Sequence, residues 1–310
     1  MSKQRAEKNR TITLTSDDAI LYRKKLLQID APIITSKITN KTIFGDFTAI
    51  AKYLPTNFID LLIIDPPYNL NKIFDTKKFK QMNNAEYVSY VESWFCLLLP
   101  MLKKTASIYV CCDWKSSPVI YEVLSKYTVV RNRITWQREK GRGAKNNWKN
   151  CMEDIWFATA GNEYYFDVEA VKIRRKVLAP YKIDGKPKDW EETAEGKFRF
   201  TYPSNFWDDI SIPYWSMPEN TEHPTQKPEK LLAKLILASS AQGDFVFDPF
   251  LGSGTTSVVA KKLGRNYCGV EISEEFCLLT EKRLHIAKTN KKIQGYADGI
   301  FWERNSKISF

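Results

Sequence analysis

Short apolar runs alternate with amphipathic segments along most of the chain from residue 41 onwards. The clearest run, Phe58 to Ile64, is apolar at nearly every position and stops at two prolines. Such a run is typical of a strand that is buried on both faces of a parallel sheet. The pattern predicts strands at 42–44, 58–64, 107–112, 129–136, 245–247 and 266–270, and helices at 85–99, 117–126, 228–241, 255–263 and 274–287.

Alternating strands and helices predict a three-layer α/β domain with a mostly parallel sheet. Residues 1–40 are polar and irregular, and the first ten carry a formal charge of 4 − 1 = +3. We interpret them as a basic N-terminal arm with a short helix around 17–28, or alternatively as a solvated tail. The domain then spans 41–310. Within it, residues 139–215 combine charges and aromatics without a clear period and predict an insertion.

Composition excludes several classes of protein. Of the 310 residues, 43% are hydrophobic and 27% charged, as in ordinary globular domains. No apolar run approaches the roughly 18 residues of a membrane span, and no signal peptide is visible, so we expect a cytoplasmic protein without a membrane partner. Six cysteines without a CxxC pair and only two histidines predict reduced thiols and no metal site. The formal charge of +11 favours a polyanionic partner such as nucleic acid.

The tetrapeptide Asp65-Pro66-Pro67-Tyr68 directly follows the strand predicted at 58–64. Ligands of open α/β sheets bind at the carboxyl ends of strands. Two prolines stiffen the turn and remove two backbone N–H groups, so its backbone can only accept hydrogen bonds. With a carboxylate and an aromatic ring added, the turn suits a planar ligand that carries an amino group, such as a nucleobase. The alternative is a plain turn that ends a strand.

A second motif, residues 248–256, lies between a predicted strand and a predicted helix. Its glycines, Gly252 and Gly254, let the backbone approach a ligand closely. Ser257 stands where a dinucleotide fingerprint has its third glycine, so a pyrophosphate ligand is disfavoured. Glu271 follows Gly254 by 271 − 254 = 17 residues, where an acid can bind both hydroxyls of a ribose. It can also be read as an exposed residue that starts a helix.

Lys227 lies just before the helix predicted at 228–241, where a positive charge is unfavourable for the helix dipole. An anionic ligand group nearby, such as a carboxylate, would explain it. Thr225 and Pro228 suit the cap and the start of that helix.

Together these motifs resemble the amino-group DNA methyltransferases that use S-adenosylmethionine. Residues 65–68 resemble their catalytic motif, 248–256 their cofactor loop, and the His-Pro-Thr-Gln-Lys-Pro stretch at 223–228 is also typical of them. The catalytic motif comes first, by 248 − 65 = 183 residues, which is the order of the β class. The resemblance covers residues 41 to about 290. It implies a seven-stranded, mostly parallel sheet, permuted so that the catalytic half precedes the cofactor half.

The resemblance also implies roles for single residues. Asp65 and the carbonyl of Pro66 would accept the N–H bonds of the target amino group, and Tyr68 would stack on the base. Lys227 would meet the carboxylate of S-adenosylmethionine, and Glu271 would bind its ribose. The other expected cofactor contacts are Asp46 for the adenine amino group, unless it is only a turn residue, and Phe250, Gly252, Gly254 and Thr255 for the methionine end.

A basic segment precedes the region without a clear period. Residues 131–150 hold seven Lys or Arg residues and one acid, with two tryptophans interleaved. Charge, two glycines and position favour contact with DNA phosphates over a solvated loop. Residues 174–176 form a second basic candidate, and sequence readout is expected within 139–215. The residues expected to bind DNA are Arg138, Lys140, Arg142, Lys145 and Lys149.

The expected function is site-specific adenine-N6 methylation of a flipped-out adenine in duplex DNA, by direct methyl transfer. Such an enzyme is typically the modification half of a restriction-modification system. A cognate restriction endonuclease is then a candidate partner, and the protein would be a monomer or a homodimer. Cytosine-N4 methylation uses the same pocket chemistry, but its enzymes more commonly carry Ser at the position of Asp65. A catalytically silent DNA-binding module, an RNA methyltransferase and a nicotinamide dehydrogenase are further alternatives.

Overall fold

The apolar runs predicted as strands form the centre of the main sheet. The computed structural model describes residues 6–74, 77–138, 145–178, 180–194 and 196–303, and within them this sheet has eight strands. The strands in chain order are β1 (Lys41–Phe44), β2 (Ile59–Ile64), β3 (Lys72–Phe74), β4 (Lys77–Phe79), β5 (Leu102–Cys112), β6 (Val129–Gln137), β7 (Met152–Thr159), β8 (Ile173–Lys176), β9 (Lys182–Ile183), β10 (Lys186–Pro187), β11 (Glu191–Thr193), β12 (Gly196–Thr201), β13 (Phe206–Trp207), β14 (Phe245–Asp248), β15 (Asn266–Glu271), β16 (Tyr296–Ala297) and β17 (Ile300–Trp302). The helices are α1 (Ser16–Arg23), α2 (Thr35–Ile38), α3 (Phe47–Ile50), α4 (Asn84–Leu98), α5 (Ser117–Tyr127), α6 (Glu229–Ser239), α7 (Thr255–Lys262) and α8 (Glu274–Ile286).

The main sheet has the strand order β1-β15-β14-β2-β5-β7-β6-β13. The first five strands are parallel, and β7 is antiparallel to both of its neighbours. The first seven strands confirm the predicted permuted sheet, since β2 with the catalytic motif precedes β14 with the cofactor loop. The two-residue strand β13 adds an eighth strand, parallel to β6, that the sequence pattern did not predict.

Helices cover both faces of the sheet and make the three layers. The apolar positions of β2 alternate between two cores. Leu62 and Ile64 pack in the core beneath α4 and α5, whereas Leu61 and Ile63 pack in the core beneath α6 and α7. The unbroken apolar run predicted this burial on both faces. Helix α4 starts at a capping box in which Asn83 and Glu86 each accept a hydrogen bond from the other's backbone N–H.

The segment predicted as an insertion, 139–215, contains one strand of the main sheet. Strand β7 lies between β5 and β6, and its residues are buried apart from Met152 and Trp156. The insertion boundary at 139 is therefore wrong for residues 152–159, which belong to the core. The alternation was not visible because the strand starts with two acids, Glu153 and Asp154, next to a long charged stretch.

A second sheet is built from the rest of this segment and from the end of the chain. Its five strands in the described residues have the order β11-β12-β8-β17-β16. Strand β17 pairs in parallel with β8, so residues 296–302 complete a sheet whose other strands lie within residues 173–201. We call these five strands the small sheet. The charged stretch 173–201 lacked a period because its strands are short and mostly half-exposed.

The N-terminal segment is packed on the domain, so the solvated-tail interpretation is wrong for residues 6–40. Helix α1 ends at Arg23 and is shorter than predicted. Tyr22 is buried against the ring of His285, and Asp18 pairs with Lys282 at 2.6 Å. Ile12 bridges to Thr221, which ties the segment to the loop before α6.

A buried ion cluster joins α6 to strand β13 and to the small sheet. Asp209, 3% exposed, accepts ion pairs from Lys230 at 2.7 Å and from Lys234 at 2.8 Å. Lys230 also donates to the carbonyl of Trp302 in β17. Two buried ammonium groups thus depend on one carboxylate.

We predict that Asp209→Ala lowers the free energy of unfolding by about 3–5 kcal/mol, because it leaves buried cations without their counter-charge. The matched control is Asp189→Ala, which removes an exposed partner of Arg199 at 3.5 Å and should cost about 0–1 kcal/mol. Urea titrations of both variants measure the difference. Equal losses would show that the buried cluster contributes no more than a surface pair.

Candidate functional site

Four neighbouring parallel strands bring acidic side chains to one edge of the main sheet. Strands β1, β15, β14 and β2 lie side by side and run in the same direction. At or just beyond their carboxyl ends stand Asp46, Glu271, Asp248 and Asp65. Because the carboxyl ends of parallel strands meet at one edge, the two sequence motifs face the same crevice.

One half of this edge contains Asp65, Tyr68 and Lys227, and we call it the target half. At its centre Asp65 receives two donors. The hydroxyl of Tyr68 donates to Asp65 Oδ1 at 2.8 Å, and Lys227 Nζ donates to Asp65 Oδ2 at 2.7 Å. Lys227 Nζ also lies 3.1 Å from the hydroxyl of Tyr68. The side chain of Asp65 is 25% exposed and that of Lys227 only 10%, so the carboxylate can be reached from solvent while the ammonium is largely enclosed.

Residues outside the tetrapeptide hold the Pro66-Pro67 turn in place. The hydroxyl of Tyr87 donates to the carbonyl of Pro67 at 3.1 Å. Asn69 exchanges two hydrogen bonds with the backbone of Met82, at 2.7 and 2.8 Å. No described residue donates to the carbonyl of Pro66. The turn therefore presents one rigid backbone acceptor beside the Asp65 carboxylate.

Glu153 is a further member of the target half, and the sequence reasoning missed it. It stands at the start of β7, and because β7 is antiparallel, its amino end reaches the edge formed by the carboxyl ends of β2 and β5. Glu153 Oε2 lies 3.3 Å from Lys227 Nζ and 3.4 Å from the hydroxyl of Tyr68. Its other oxygen accepts from Arg138. The number of strands could have revealed the strand that carries it. A seven-stranded sheet needs one strand more than the six predicted, and that strand has to lie between 136 and 245.

Electrostatics explain the position of Lys227. Burial lowers the pKa of its ammonium, but the charges of Asp65 and Glu153 outweigh that effect and raise the pKa above its usual value. Burial, together with the same two carboxylates, raises the pKa of Tyr68 well above its usual value. At neutral pH Lys227 is therefore a cation and Tyr68 a neutral donor.

The glycine loop of the other half adopts conformations that side chains disfavour. Gly252 and Gly254 have φ of +54° and +79°. A Cβ on Gly254 would lie 2.4 Å from Thr280, and one on Gly252 would lie 3.0 Å from the ring of His223. Asp248 holds the turn by accepting from the backbone N–H of Phe250 at 3.0 Å. Glycine at both positions is therefore required by the backbone conformation and by the protein side chains packed against it.

Asp248 itself is fully enclosed. Burial raises its pKa to about 7, against the opposing hydrogen bonds from Thr256, at 2.6 Å, and from Phe250. Its carboxyl group is committed to shaping the loop.

Glu271 closes the loop from the adjacent strand. Its Oε2 accepts from the backbone N–H of Gly252 at 2.7 Å, and its Oε1 accepts from Ser273 N–H at 2.8 Å. Asp46 lies on the next strand along and caps α3 by accepting from the backbone and hydroxyl of Thr48 at 3.0 and 2.7 Å. Both acids therefore lie on the glycine-loop side of this edge, at or just beyond the ends of β15 and β1.

The other two loop residues that were expected to contact the cofactor pack against the rest of the protein. Phe250 is half-buried, with its ring edge-on to Trp94 at 5.3 Å. The hydroxyl of Thr255 is buried and accepts from Arg283 at 3.0 Å. Thr255 therefore helps to fix the start of α7, and its side chain points into the protein.

Of the residues expected to bind DNA, three are described. Arg138 lies in the target half, where it is paired with Glu153. Lys145 and Lys149 are exposed, and between them Trp148 is 94% exposed. Lys140 and Arg142 lie outside the described residues. In the second basic candidate, Arg174 stacks on Phe198 with 3.8 Å to the ring centroid.

The part of the chain that the structure describes was also compared with the requirements of a metal site and of a membrane span. It contains no group of three or more His, Cys, Asp or Glu side chains that could hold a metal ion. No helix within it is long and apolar enough to span a membrane.

Comparison with known proteins identifies the class of this crevice. Residues 59–282 match the family described as DNA methylase, so the chain belongs to the DNA methylase family of N6 and N4 methyltransferases. It is similar to "DNA adenine methyltransferase YhdJ" of Escherichia coli, with 32% identity over 79% of this chain and 82% of that protein. It is also 32% identical to "Type II methyltransferase M.HpaI" of Haemophilus parainfluenzae, over 75% of this chain and 70% of that protein. The crystal structure of the M1.HpyAVI–SAM complex has the same fold, with a TM-score of 0.53 and 22% identity over 78% of this chain and 98% of that one.

We predict that Gly254→Ala destabilises the protein more than Gly264→Ala does. Both glycines have φ near +75° to +79°, so both variants incur about 1–2 kcal/mol of backbone strain. Only at position 254 does the new Cβ also collide with a buried side chain, that of Thr280, whereas nothing lies within 4 Å at position 264. The free energy of unfolding, measured in urea, tests the difference. Equal losses would mean that the loop can shift away from Thr280.

Proposed function

We propose that the chain is a site-specific DNA adenine-N6 methyltransferase that acts on a flipped-out base in duplex DNA. The observation that carries the proposal is the rigid Asp65–Pro66 turn, which presents a reachable carboxylate and a backbone carbonyl beside the glycine loop. An exocyclic amino group has two N–H bonds, and these two acceptors match them.

S-adenosylmethionine fits the other half of the crevice as the cofactor. It supplies a methyl group on a positively charged sulfur, which needs no further activation. The loop that contains Gly252 and Gly254 follows the carboxyl end of β14 in a left-handed conformation that glycine adopts readily. Glu271 and Asp46 place carboxylate acceptors at the ends of the two adjacent strands, a donor set that suits ribose hydroxyls and an adenine amino group. The likeness of residues 248–256 to the family's cofactor loop supports the same assignment.

In the proposed reaction the protein mainly aligns and polarises the target base. The amino nitrogen is a poor nucleophile because its lone pair is delocalised into the ring. Hydrogen bonds to Asp65 and to the Pro66 carbonyl favour the pyramidal nitrogen of the transition state. The nitrogen bonds to the methyl carbon as the carbon–sulfur bond breaks, and it then releases one proton, which the Asp65 carboxylate is placed to accept. The remaining work is alignment of the two halves.

Adenine is preferred to cytosine as the target base for two reasons. Asp65 occupies a position where cytosine-N4 enzymes of the family more commonly have Ser. The relative from Escherichia coli, which shares 32% identity over most of both chains, is named as an adenine methyltransferase.

Binding of duplex DNA is proposed along the basic surfaces next to the target half. Lys145 and Lys149 are exposed and lie in the segment that leads along the chain to Glu153, at the half of the crevice that the flipped base must enter. The small sheet carries further cations, including Arg174 and Arg199, and half-exposed aromatic rings. We infer that Lys145 and Lys149 contact phosphates and that the small sheet, within the segment 139–215, contributes sequence readout.

The relatives named as Type II methyltransferases support a place in a restriction-modification system. We propose a cognate restriction endonuclease of the same DNA site as the functional partner, and action on DNA in the bacterial cytoplasm. The enzyme would work as a monomer or a homodimer, since one chain carries both halves of the crevice.

We predict that DNA from a methylation-deficient host that expresses the wild-type chain contains N6-methyladenine. Mass spectrometry of the nucleosides measures it. Detection of N4-methylcytosine instead would correct the base and keep the chemistry. Neither mark, from a folded protein that binds S-adenosylmethionine, would overturn the proposal in favour of RNA methylation or a silent DNA-binding module.

The matched variants for that experiment lie at the two ends of one strand. Asp65→Ala should reduce methyl transfer by at least about 10²-fold while cofactor affinity stays the same, because it removes a transition-state acceptor. Asp60→Ala removes a carboxylate of β2 at the opposite edge, where it pairs with Lys103 at 2.8 Å, and should retain transfer. Undiminished transfer by Asp65→Ala would contradict the assigned role.

We also predict that Lys145→Gln with Lys149→Gln reduces the dependence of DNA affinity on salt. The slope of log K against log[salt] should fall by about 0.9 for each phosphate that the protein no longer neutralises. The control is Lys291→Gln, an exposed lysine beyond the C-terminal end of α8 and hence near the opposite edge of the sheet. Fluorescence anisotropy of labelled duplex DNA at several salt concentrations measures both slopes. An unchanged slope would remove these lysines from the interface.

A further inference from the structure

Glu153 is a buried carboxylate that the proposed reaction leaves without a task. Its side chain is only 4% exposed, although an isolated charge at such a depth is strongly unfavourable. Two cations compensate it, Arg138 on one oxygen and Lys227 on the other side. The chain thus retains an acid at the centre of the target half at a considerable desolvation cost.

The same cluster poses a problem for the target amino group. Asp65 Oδ1 accepts from Tyr68 and Oδ2 accepts from Lys227, so each carboxylate oxygen already has one donor. The ammonium at 2.7 Å stands against the oxygen that an incoming amino group would use. Each oxygen keeps a second lone pair, but the ammonium competes with the amino group for the charge of Oδ2, so withdrawal of Lys227 strengthens the hydrogen bond to the base.

Glu153 offers the position to which Lys227 can withdraw. Lys227 Nζ is 2.7 Å from Asp65 Oδ2 and already 3.3 Å from Glu153 Oε2. A lysine side chain has a flexible four-carbon stem, so a small rotation moves the ammonium from one acid to the other. The backbone of the loop stays in place, because Thr221 donates two hydrogen bonds to Gln226, from its N–H at 2.9 Å and from its hydroxyl at 2.6 Å.

On the premise of the methyl transfer proposed above, we propose that Glu153 is a positioning residue that takes over the ion pair of Lys227 and so frees Asp65 for the target amino group. Without Glu153, the withdrawn ammonium would be a buried cation without a counter-charge, and it would stay on Asp65. Arg138 holds the second oxygen of Glu153 and thereby fixes the direction of the first.

The test is Glu153→Gln, which retains the shape of the side chain and removes its charge. At neutral pH, incorporation of tritiated methyl groups into unmethylated genomic DNA in a single turnover should fall on the order of 10²-fold, as for a misplaced reacting group. Affinities for S-adenosylmethionine and for DNA should not change, because the residue acts on the transfer step.

The pH dependence separates this role from a structural one. The groups that face Lys227 are Asp65, Glu153, Tyr68 and Cys111. Loss of one carboxylate lowers the pKa of Lys227, so over a range of pH below the wild-type pKa the variant loses the ammonium charge and the hold on Asp65 weakens. The ratio of wild-type to variant activity should shrink over that range. A merely structural defect would leave the ratio constant.

The matched control is Asp154→Asn, the next residue of the same strand. Asp154 is also buried but lies on the other face of β7, where it accepts from Thr135 at 3.0 Å. This variant should show no pH-dependent loss of transfer. If Glu153→Gln fails to fold, the charge-balanced double variant Arg138→Gln with Glu153→Gln retains the Lys227–Asp65 pair and should show the same pH-dependent defect.

The outcomes distinguish the two proposals. If the wild-type chain transfers no methyl group, the proposed function fails. If wild type transfers and a folded Glu153→Gln variant matches it at every pH, or is equally impaired at every pH, the role of Glu153 is overturned.

Discussion

The buried ammonium of Lys227 ties together three parts of the chain that are far apart in sequence. Asp65 follows β2, Glu153 begins β7, and Lys227 directly precedes α6. A buried cation is stable only when opposite charges surround it, so these three elements cannot shift independently. The ion pairs of Lys227 with Asp65 and Glu153 therefore set the geometry of the target half, including the orientation of the carboxylate that is proposed to meet the base.

Strand direction decides which acid can take part in that cluster. In the parallel strands, acids reach the crevice from carboxyl ends, but β7 runs the other way and contributes its amino end. Successive side chains of a strand point to opposite faces. Glu153 lies opposite Trp136 and faces Lys227, whereas its neighbour Asp154 lies opposite Cys112 and Thr135 on the other face. A register shift of one residue would exchange the two acids.

The ion pairs of Lys227 and the direction of β7 could not be predicted from the sequence. The permuted order of the sheet was expected from the family resemblance of the two motifs. The mostly parallel sheet and the placement of Asp65 and Tyr68 in one turn follow from local patterns, because the apolar runs and the tetrapeptide 65–68 carry them. Strand β7 and Glu153 do not, since charged neighbours conceal the run and no motif includes the acid. For Lys227, the local argument required a nearby anion and expected a ligand carboxylate to supply it. Within the chain itself that anion is Asp65 together with Glu153, which only the tertiary arrangement reveals.

Helix α6 connects the crevice to the surface where DNA readout is proposed. Lys227 precedes its first turn, and two further lysines on the helix, Lys230 and Lys234, bind Asp209 beside β13. Lys230 also reaches the carbonyl of Trp302, in the strand that closes the small sheet. All residues of α6 are buried, so the helix cannot adjust to one side without disturbing the other. In the proposed function, base placement and DNA docking would thus share one rigid element, to which the small sheet is tied through Lys230 and β17.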